Sequence, residues 1–294
     1  MLLNLRNQSP RSGLGVMIRK VLNLSIFLFA CAAVFAGQDP QTPSVAQTNE
    51  PQVIAPDQIS AVPNRPTFST TAESVQRGVF EVEYGFELAD AHQNINGLLK
   101  FGATEKLELR IANNPIERDS GVAGLGDSGA GFKYKVAGQK SWRPTFSVLY
   151  DVTIPTATAL VGVGAVGHSG GILFSKDFGP HHFDFNETAQ WVGRPGRSGF
   201  DRNYFTALAY SHGIKGKWGM TAELAGFSWT NPANPATMTL MGSAIYSVSP
   251  RLILDSGTYL AAYGQLPRIT FFGGITYSVT DLYHRREKKH TSSN

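Results

Sequence analysis

Charged side chains recur at every second position along several stretches of this 294-residue chain, and they carry most of its potential chemistry. Aromatic or aliphatic residues stand between them, as in residues 76–88, which read QRGVFEVEYGFEL. Carboxylates accept hydrogen bonds and pair with Lys or Arg, and rings of charge set the solute preference of a pore. The candidate site residues are Glu81, Glu83, Glu87, Lys106, Glu108, Arg110, Lys133, Lys135, Asp151, Glu223 and Asp255.

Two interpretations of this charged set remain open. One is a selectivity lining, because these residues are predicted to share the inner face of a closed sheet. The other is a structural network that fills a narrow barrel, since opposite charges on neighbouring strands can pair across the ladder. Glu187 does not fit the pattern, because it shares an apolar face with Phe185 and Trp191. A bulge, or a position near a membrane interface, is predicted there.

Motifs of catalysis and of cofactor binding are missing from the sequence. No Walker A motif, no GxGxxG after a strand, no HExxH and no cysteine-based metal motif occurs. No nucleophile elbow stands out either. His181 and His182 are adjacent in a predicted turn, where their side chains would point apart, so a chelate is not expected. We therefore predict no catalytic residue, no metal, no cofactor and no enzymatic activity.

The elements that position these residues are predicted to be β-strands, because strands place alternate side chains on opposite faces. After residue 76 no helical period is sustained, and turn chemistry separates extended segments of about 8–13 residues. Bacterial single-chain membrane barrels have even strand numbers. The twelve predicted strands are 76–88, 94–102, 105–113, 127–136, 144–154, 170–177, 182–192, 201–212, 217–229, 237–248, 252–262 and 268–279.

The predicted fold is all-β, a 12-stranded antiparallel transmembrane β-barrel. In lipid every backbone N–H and C=O needs an internal partner, so such a sheet has to close. Charged residues make up 16% of the chain, below the roughly 25% of soluble domains. Aromatic side chains near strand ends would form interface girdles; these are Trp142, Trp191, Trp218, Trp229 and Tyr263. The alternative is a soluble exported β-sandwich with its aromatic residues between two sheets.

An export signal is predicted at residues 1–36, with cleavage after Ala36. Arg19 and Lys20 precede the apolar run 21–36, which is shorter than the roughly 20 residues that a spanning helix needs. A transmembrane anchor and lipidation of Cys31 are the alternatives. The prediction places the mature chain in a bacterial outer membrane.

The basic balance of the chain comes from this signal. Its four basic residues leave the remainder with 22 basic and 22 acidic residues, so the sequence does not support a nucleic-acid partner. The expected partners are outer-membrane lipid, the barrel-assembly machinery and a small solute. Oligomeric state is left open.

The regions outside the predicted barrel are polar. Residues 37–75 are assigned to a flexible linker rich in Pro and Gln, which has too few large apolar groups to order itself. A periplasmic tail is favoured for it over a plug inside the lumen. The barrel is predicted over residues 76–280, and residues 281–294 are predicted to form a basic, disordered tail.

A series of short motifs resembles a known family. They are RPTFSTTAESVQRGVFEVEYGF, TEKLELR, GLGDSGAGFKYKV, TIPT, AEL, LDSG and FFGGITYSV, in that order between residues 65 and 279. Together they are similar to the outer-membrane β-barrel transporter family of the phenol-degradation "MetA-pathway" type. Ala157 departs from the glycine frequent in that family after the Pro-Thr pair. The resemblance implies passage of small solutes, aromatic or hydrophobic ones among them, and brings no substrate-contacting residues with it.

Three functions therefore stand as hypotheses. The first is an outer-membrane channel or transporter for small solutes. The second is a barrel that anchors or shapes the envelope without transport. The third is a soluble binding module built on a β-sandwich.

Overall fold

A computed structural model describes residues 59–283, except residues 91, 120, 160, 233, 265 and 266. The predicted signal, residues 37–58 of the predicted linker and residues 284–294 of the predicted tail lie outside this range. No helix within the described residues is long and apolar enough to cross a membrane. The strands are β1 (Val79–Leu88), β2 (His92–Gly102), β3 (Leu107–Asp119), β4 (Val122–Gly124), β5 (Ser128–Ala137), β6 (Thr145–Ile154), β7 (Gly167–Phe178), β8 (His181–Gly193), β9 (Phe200–Lys215), β10 (Trp218–Phe227), β11 (Thr237–Ser249), β12 (Leu252–Tyr263) and β13 (Ile269–Asp281).

These strands form one closed sheet. Each pairs antiparallel with its neighbour in the chain, except that β3 continues to β5. Strand β13 pairs with β1, which closes the ring. Strand β4 is three residues long and pairs only with β3, so twelve strands make the wall. The predicted 12-stranded antiparallel barrel is confirmed, and the two-sheet sandwich is wrong.

The two faces of the wall differ as the alternation predicts. In β1 the inner Glu81 and Glu83 are buried, whereas the outer Phe86 and Leu88 are exposed. Large apolar side chains are exposed on the outer face of other strands as well. The same face carries Leu109, Ile111, Phe132, Tyr134, Tyr150, Ile172, Tyr204, Leu240, Leu254, Leu260, Phe271, Ile275 and Tyr277. The sheet therefore presents an apolar outside and a polar inside.

Strand β3 is longer than the sequence predicts. The predicted strand 105–113 ends before Pro115, yet pairing with β2 resumes at Ile116 and continues to Asp119. The ladder shifts register between Ile95 and Gly97, so Pro115 falls in a bulge. Proline has no backbone N–H, and at this position the ladder does not require one. The predicted girdle residues are all exposed at or near strand ends.

Residues 59–75 run inside the barrel, and we call them the lumenal segment. Their backbone N–H groups donate hydrogen bonds to inward side chains of strands around the ring, among them Glu83 of β1, Asn186 of β8 and Glu223 of β10. A single segment that touches the inner face on opposite sides of a closed wall lies in the lumen. The expected periplasmic tail is therefore wrong for this stretch. The sequence missed it because the segment has no periodicity of its own, and its binding groups lie on distant strands.

The start of the predicted tail packs on the barrel end. Asp281 is the last residue of β13, and the backbone N–H of Leu282 donates to Gly78 O at 2.8 Å. The Tyr283 hydroxyl donates to Ala103 O at 3.1 Å, and the Arg77 guanidinium lies over its ring. The boundary of the folded part therefore lies beyond residue 281.

Candidate functional site

A buried ion cluster joins β1 and β2 inside the barrel. Glu81 and Lys100 face each other across the ladder, with Lys100 Nζ 2.6 Å from Glu81 Oε1, and the same ammonium contacts Glu83. The side chains of Lys100 and Glu81 are fully buried, and that of Glu83 nearly so. Buried charges persist when they are paired, so each member of this cluster depends on the others.

A second cluster joins β3 and β5. Glu108 and Lys133 are cross-strand partners, and Lys133 Nζ lies 3.3 Å from Glu108 Oε2. Arg110 is nine-tenths buried beside them, with Nη1 4.0 Å from Glu108 Oε1. In the part of the chain that the structure describes, Arg110 Nε and Nη1 have no hydrogen-bond partner. Both atoms are also inaccessible to solvent, so they are packed among neighbouring groups and are not presented to the open lumen.

The carboxylates of these clusters hold the lumenal segment. Glu81 accepts from Val62 N at 2.9 Å, and Glu83 accepts from Asn64 N at 3.0 Å. Glu108 accepts from Val75 N at 2.9 Å. Hydrogen bonds to a charged acceptor are stronger than neutral ones. The network interpretation of the charged set is therefore supported for Glu81, Glu83 and Glu108, since each carboxylate accepts a hydrogen bond from the segment and contacts a cation of the wall.

Glu223 of β10 binds the same segment from the other side of the barrel. Its two oxygens accept from Phe68 N at 2.8 Å and from Ser69 N at 2.7 Å. The side chain is almost fully buried. A carboxylate bound to two successive backbone N–H groups fixes both the position and the direction of the segment.

Polar side chains that the sequence did not single out complete the attachment. Asn186 accepts from Thr70 N at 2.6 Å and donates to Thr70 O at 2.9 Å. Ser175 Oγ accepts from Ala72 N at 2.7 Å, and Ser147 donates to Ala72 O at 2.6 Å. These residues occupy inward positions of β6, β7 and β8. The alternation indicates that these positions face inward, but the predicted site is limited to charged residues and does not include them.

Arg65 of the lumenal segment fills a recess in the wall. Its guanidinium donates to Asp255 at 3.3 Å and to Asn96 Oδ1 at 2.8 Å. The recess exists because Gly85 and Gly274 have no side chains, and a Cβ at either would lie 2.0–2.2 Å from Arg65 atoms. The absence of side chains at Gly85 and Gly274, on two adjacent strands, therefore leaves room for the Arg65 guanidinium.

Aromatic rings gather on one side of the lumen. The ring of Phe68 stacks on Tyr259 with centroids 4.6 Å apart and meets Phe227 edge-on at 6.2 Å. Tyr259 contacts Phe272 at 4.6 Å, and Phe227 contacts Phe205 at 4.8 Å. We call these five residues the aromatic patch. Four come from β9, β10, β12 and β13, and the lumenal segment supplies the fifth, which is also the only one exposed.

The remaining predicted site residues lie on the inner face, with the exception of one residue in a turn. Glu87 and Asp151 are partly buried on the inner face, where Glu87 accepts from Asn96 Nδ2 at 3.1 Å. Lys135 Nζ lies 3.1 Å from Glu73 of the lumenal segment. Lys106 is a correction, because it is exposed in the turn before β3 and lines no lumen. The predicted strand 105–113 includes Lys106, whereas β3 begins at Leu107.

Glu187 lies on the outer face, as the alternation predicts, and the expected bulge is absent. The ladders of β8 with β7 and with β9 run without a register shift, so no bulge turns the residue inward. It also sits midway along β8, between His181 and Gly193, and not near a strand end.

The adjacent residues His181 and His182 have different contacts. His182 Nδ1 lies 2.6 Å from Asp177 Oδ1, and its Nε2 lies 3.0 Å from Asp184 Oδ2. His181 points to the outer face and contacts Tyr210. Within the described residues, no group of three or more His, Cys, Asp and Glu side chains is placed to hold a metal ion.

Comparison with known proteins shows the fold. No family model and no curated protein matches the chain. Among solved structures, the COG4313 outer membrane channel from Pseudomonas putida F1 is similar, with 12% identity and a TM-score of 0.59 over 73% of this chain and all of that one. The NanC porin is similar over 68% of this chain and all of its own, with 9% identity and a TM-score of 0.52. The barrel architecture is thus shared with these proteins, and the phenol-degradation type of family is not confirmed.

Proposed function

We propose that this protein is an outer-membrane channel that passes small solutes, aromatic or hydrophobic ones in particular. The observation that carries the proposal is a single closed sheet with an apolar outer face and a charged inner face. Lipid on the outside and water on the inside satisfy both faces, and closure leaves no strand edge unpaired. The COG4313 channel and the NanC porin, which share the fold, support the same function by analogy.

The lumen supports a solute with an apolar ring. The aromatic patch lies on the side of β9 to β13, whereas the ion clusters lie on the side of β1, β2, β3 and β5. An aromatic ring can stack on Phe68, because this side chain is 37% exposed. Arg110 and Lys133 contribute positive charge on the charged side, next to Glu108. A planar molecule with one polar substituent matches this division.

The lumenal segment has to move, or to leave a path beside it, for a solute to pass. Between Val62 and Val75 its backbone is held by wall side chains, as at Glu83 and Asn186, and it is not an additional strand of the ladder. Side-chain attachments can release one by one, whereas a strand would have to unzip. The segment therefore fits the role of a gate.

A second function, a structural barrel without transport, is favoured by the same occupied lumen. The two proposals predict different conductance for purified full-length protein in a planar bilayer. A channel shows discrete openings, and removal of residues 59–75 increases their size. A structural barrel stays silent at full length, provided that heat-modifiable migration on SDS gels shows the protein to be folded.

The solute class is tested by swelling of liposomes that contain the protein. The channel proposal expects faster entry of benzoate than of glucose, because only benzoate carries an aromatic ring that can stack on the exposed Phe68 of the patch. Equal rates for both probes would contradict a preference for aromatic solutes while leaving a general pore standing. Recovery of the mature chain in the soluble periplasmic fraction would contradict the outer-membrane position itself.

A further inference from the structure

The carboxyl group of Glu187 sits in the middle of the apolar outer face. Along the same face of β8 it is flanked by Phe185 and Ala189, and its cross-strand neighbour on β7 is Ile172. If the barrel spans a membrane as proposed above, this position is far from both headgroup layers. Charged substitutions cost most at such a depth, so an acid there is expected to be neutral and to have a hydrogen-bonding partner.

The protein supplies a hydrogen-bond partner for only one of the two oxygens of this carboxyl group. Thr206, directly opposite on β9, donates its hydroxyl to Glu187 Oε2 at 2.6 Å. Within the described residues, Oε1 has no hydrogen-bond partner. A hydrocarbon chain offers neither donor nor acceptor. One oxygen of Glu187 therefore points outward with its bonding capacity unused.

The surface around Glu187 is hollowed. A shallow open groove of about 460 Å³ surrounds it, lined on the outer face by Gly170, Ile172, Ala189 and Tyr204. Gly170 and Ala189 are small, and a Cβ added at Gly170 would meet only the Trp191 ring, at 3.9 Å. Small residues let neighbouring backbones approach closely inside a membrane, where polar side chains bond across the contact. The groove thus combines close approach with an unsatisfied polar group.

We propose that two copies of this chain associate side by side through the outer face of β7, β8 and β9, with Glu187 of one copy bonded to Glu187 of the other. A protonated carboxyl group both donates and accepts, so it complements itself. A two-fold axis along the membrane normal brings the same residue of each copy together at the same depth, and such contacts are isologous. Headgroups lie too far from this depth to supply the missing bond.

The contact is tested by thiol cross-linking in isolated outer membranes. Glu187→Cys is made in a Cys31→Ser background, so that the introduced thiol is the only one in the sequence. The matched control is Ile275→Cys, since Ile275 is exposed midway along β13 on a distant part of the wall. Mild oxidation is expected to yield a disulfide-linked dimer for Glu187→Cys and monomer for Ile275→Cys. Monomer in both, or equal dimer in both, would overturn the proposal.

The chemistry of the contact is tested separately, by the mass of purified protein in mild detergent. An amide also donates and accepts, so Glu187→Gln should remain dimeric, whereas Glu187→Leu should become monomeric. A dimeric Glu187→Leu variant would show that the carboxyl group is not the contact. The proposal rests on the membrane position of the barrel and not on transport. A silent but dimeric barrel would therefore remove the channel function alone.

Discussion

The Arg65 guanidinium and the Asp255 carboxylate form an ion pair inside the barrel across 190 positions of sequence, with Nε 3.3 Å from Oδ2. Arg65 belongs to the lumenal segment and Asp255 to the wall strand β12. The side chains are 13% and 2% exposed, so the pair is almost dry. It is the one ion pair in the described residues that joins a cation of the segment to an acid of the wall. A change at either residue should therefore act on the segment first.

Replacement of Arg65 by Ala is expected to loosen the lumenal segment while leaving the barrel intact. Breaking a buried pair by removing one partner costs about 3–5 kcal/mol, because the remaining charge stays unpaired. Planar-bilayer recordings should show larger or longer openings than the wild type. Asp255→Asn keeps a hydrogen-bond acceptor for Arg65 and should have the smaller effect. Unchanged conductance in both variants would show that the pair does not hold a gate.

Gly85→Ala should displace the same side chain sterically. A Cβ on Gly85 would lie 2.0 Å from Arg65 Cζ, so the guanidinium would have to leave its position in the recess. The expected result is easier proteolysis of the lumenal segment in detergent. Gly242→Ala is the matched control, because nothing lies within 4 Å of its added Cβ. A Gly85→Ala protein as resistant as the control would place the arginine elsewhere than in this recess.

Lys100→Met should destabilise the barrel itself. The substitution leaves Glu81 and Glu83 buried side by side without their common cation, at an expected loss of about 3–5 kcal/mol. Urea titration of the protein in detergent, followed by heat-modifiable migration, measures this loss. Lys106→Met is the control, since Lys106 is exposed in a turn, and its effect should stay within about 0.5 kcal/mol. Equal midpoints for the two variants would contradict the role of the cluster.

The strands and the direction of most charged side chains could be predicted from the sequence, because a period of two is a local property. Glu81, Glu108 and Glu223 all face the lumen as the alternation indicates. Their hydrogen-bond partners could not be predicted in the same way. Glu223 binds backbone N–H groups 155 residues away, in a stretch with no pattern of its own. Backbone donors carry no side-chain signature, so a segment bound through its backbone is invisible to sequence patterning.

The end of β3 near Pro115 is a second feature that the sequence of one strand does not determine. Proline ends a regular strand, and the sequence therefore indicates an end of β3 before it. The strand continues because the register shift opposite Asn96 leaves Pro115 unpaired without ending the ladder. Whether a proline stops a strand or sits in a bulge is decided by the partner strand. The sequence of β3 by itself does not contain that information.

Phe68→Ala should weaken the interaction with aromatic solutes. Phe68 is the exposed ring of the aromatic patch and stacks on Tyr259, so a solute ring in the lumen would meet it first. Aromatic pairs contribute about 0.5–1.5 kcal/mol beyond their buried area, which corresponds to about a two- to tenfold loss of affinity. Benzoate block of single-channel current, titrated for each variant, measures this affinity.

The matched control for that experiment is Phe271→Ala, because Phe271 is exposed on the outer face of β13 next to the inward Phe272. It removes the same ring from the wrong side of the wall, so benzoate block should stay at the wild-type value. Truncation of Phe68 also frees space beside Tyr259 and Phe227, which raises the open-channel current of that variant if the segment narrows the pore. Reduced benzoate block together with increased current would show that Phe68 both contacts aromatic solutes and narrows the pore. Increased current with unchanged block would show that the aromatic patch has no part in solute recognition.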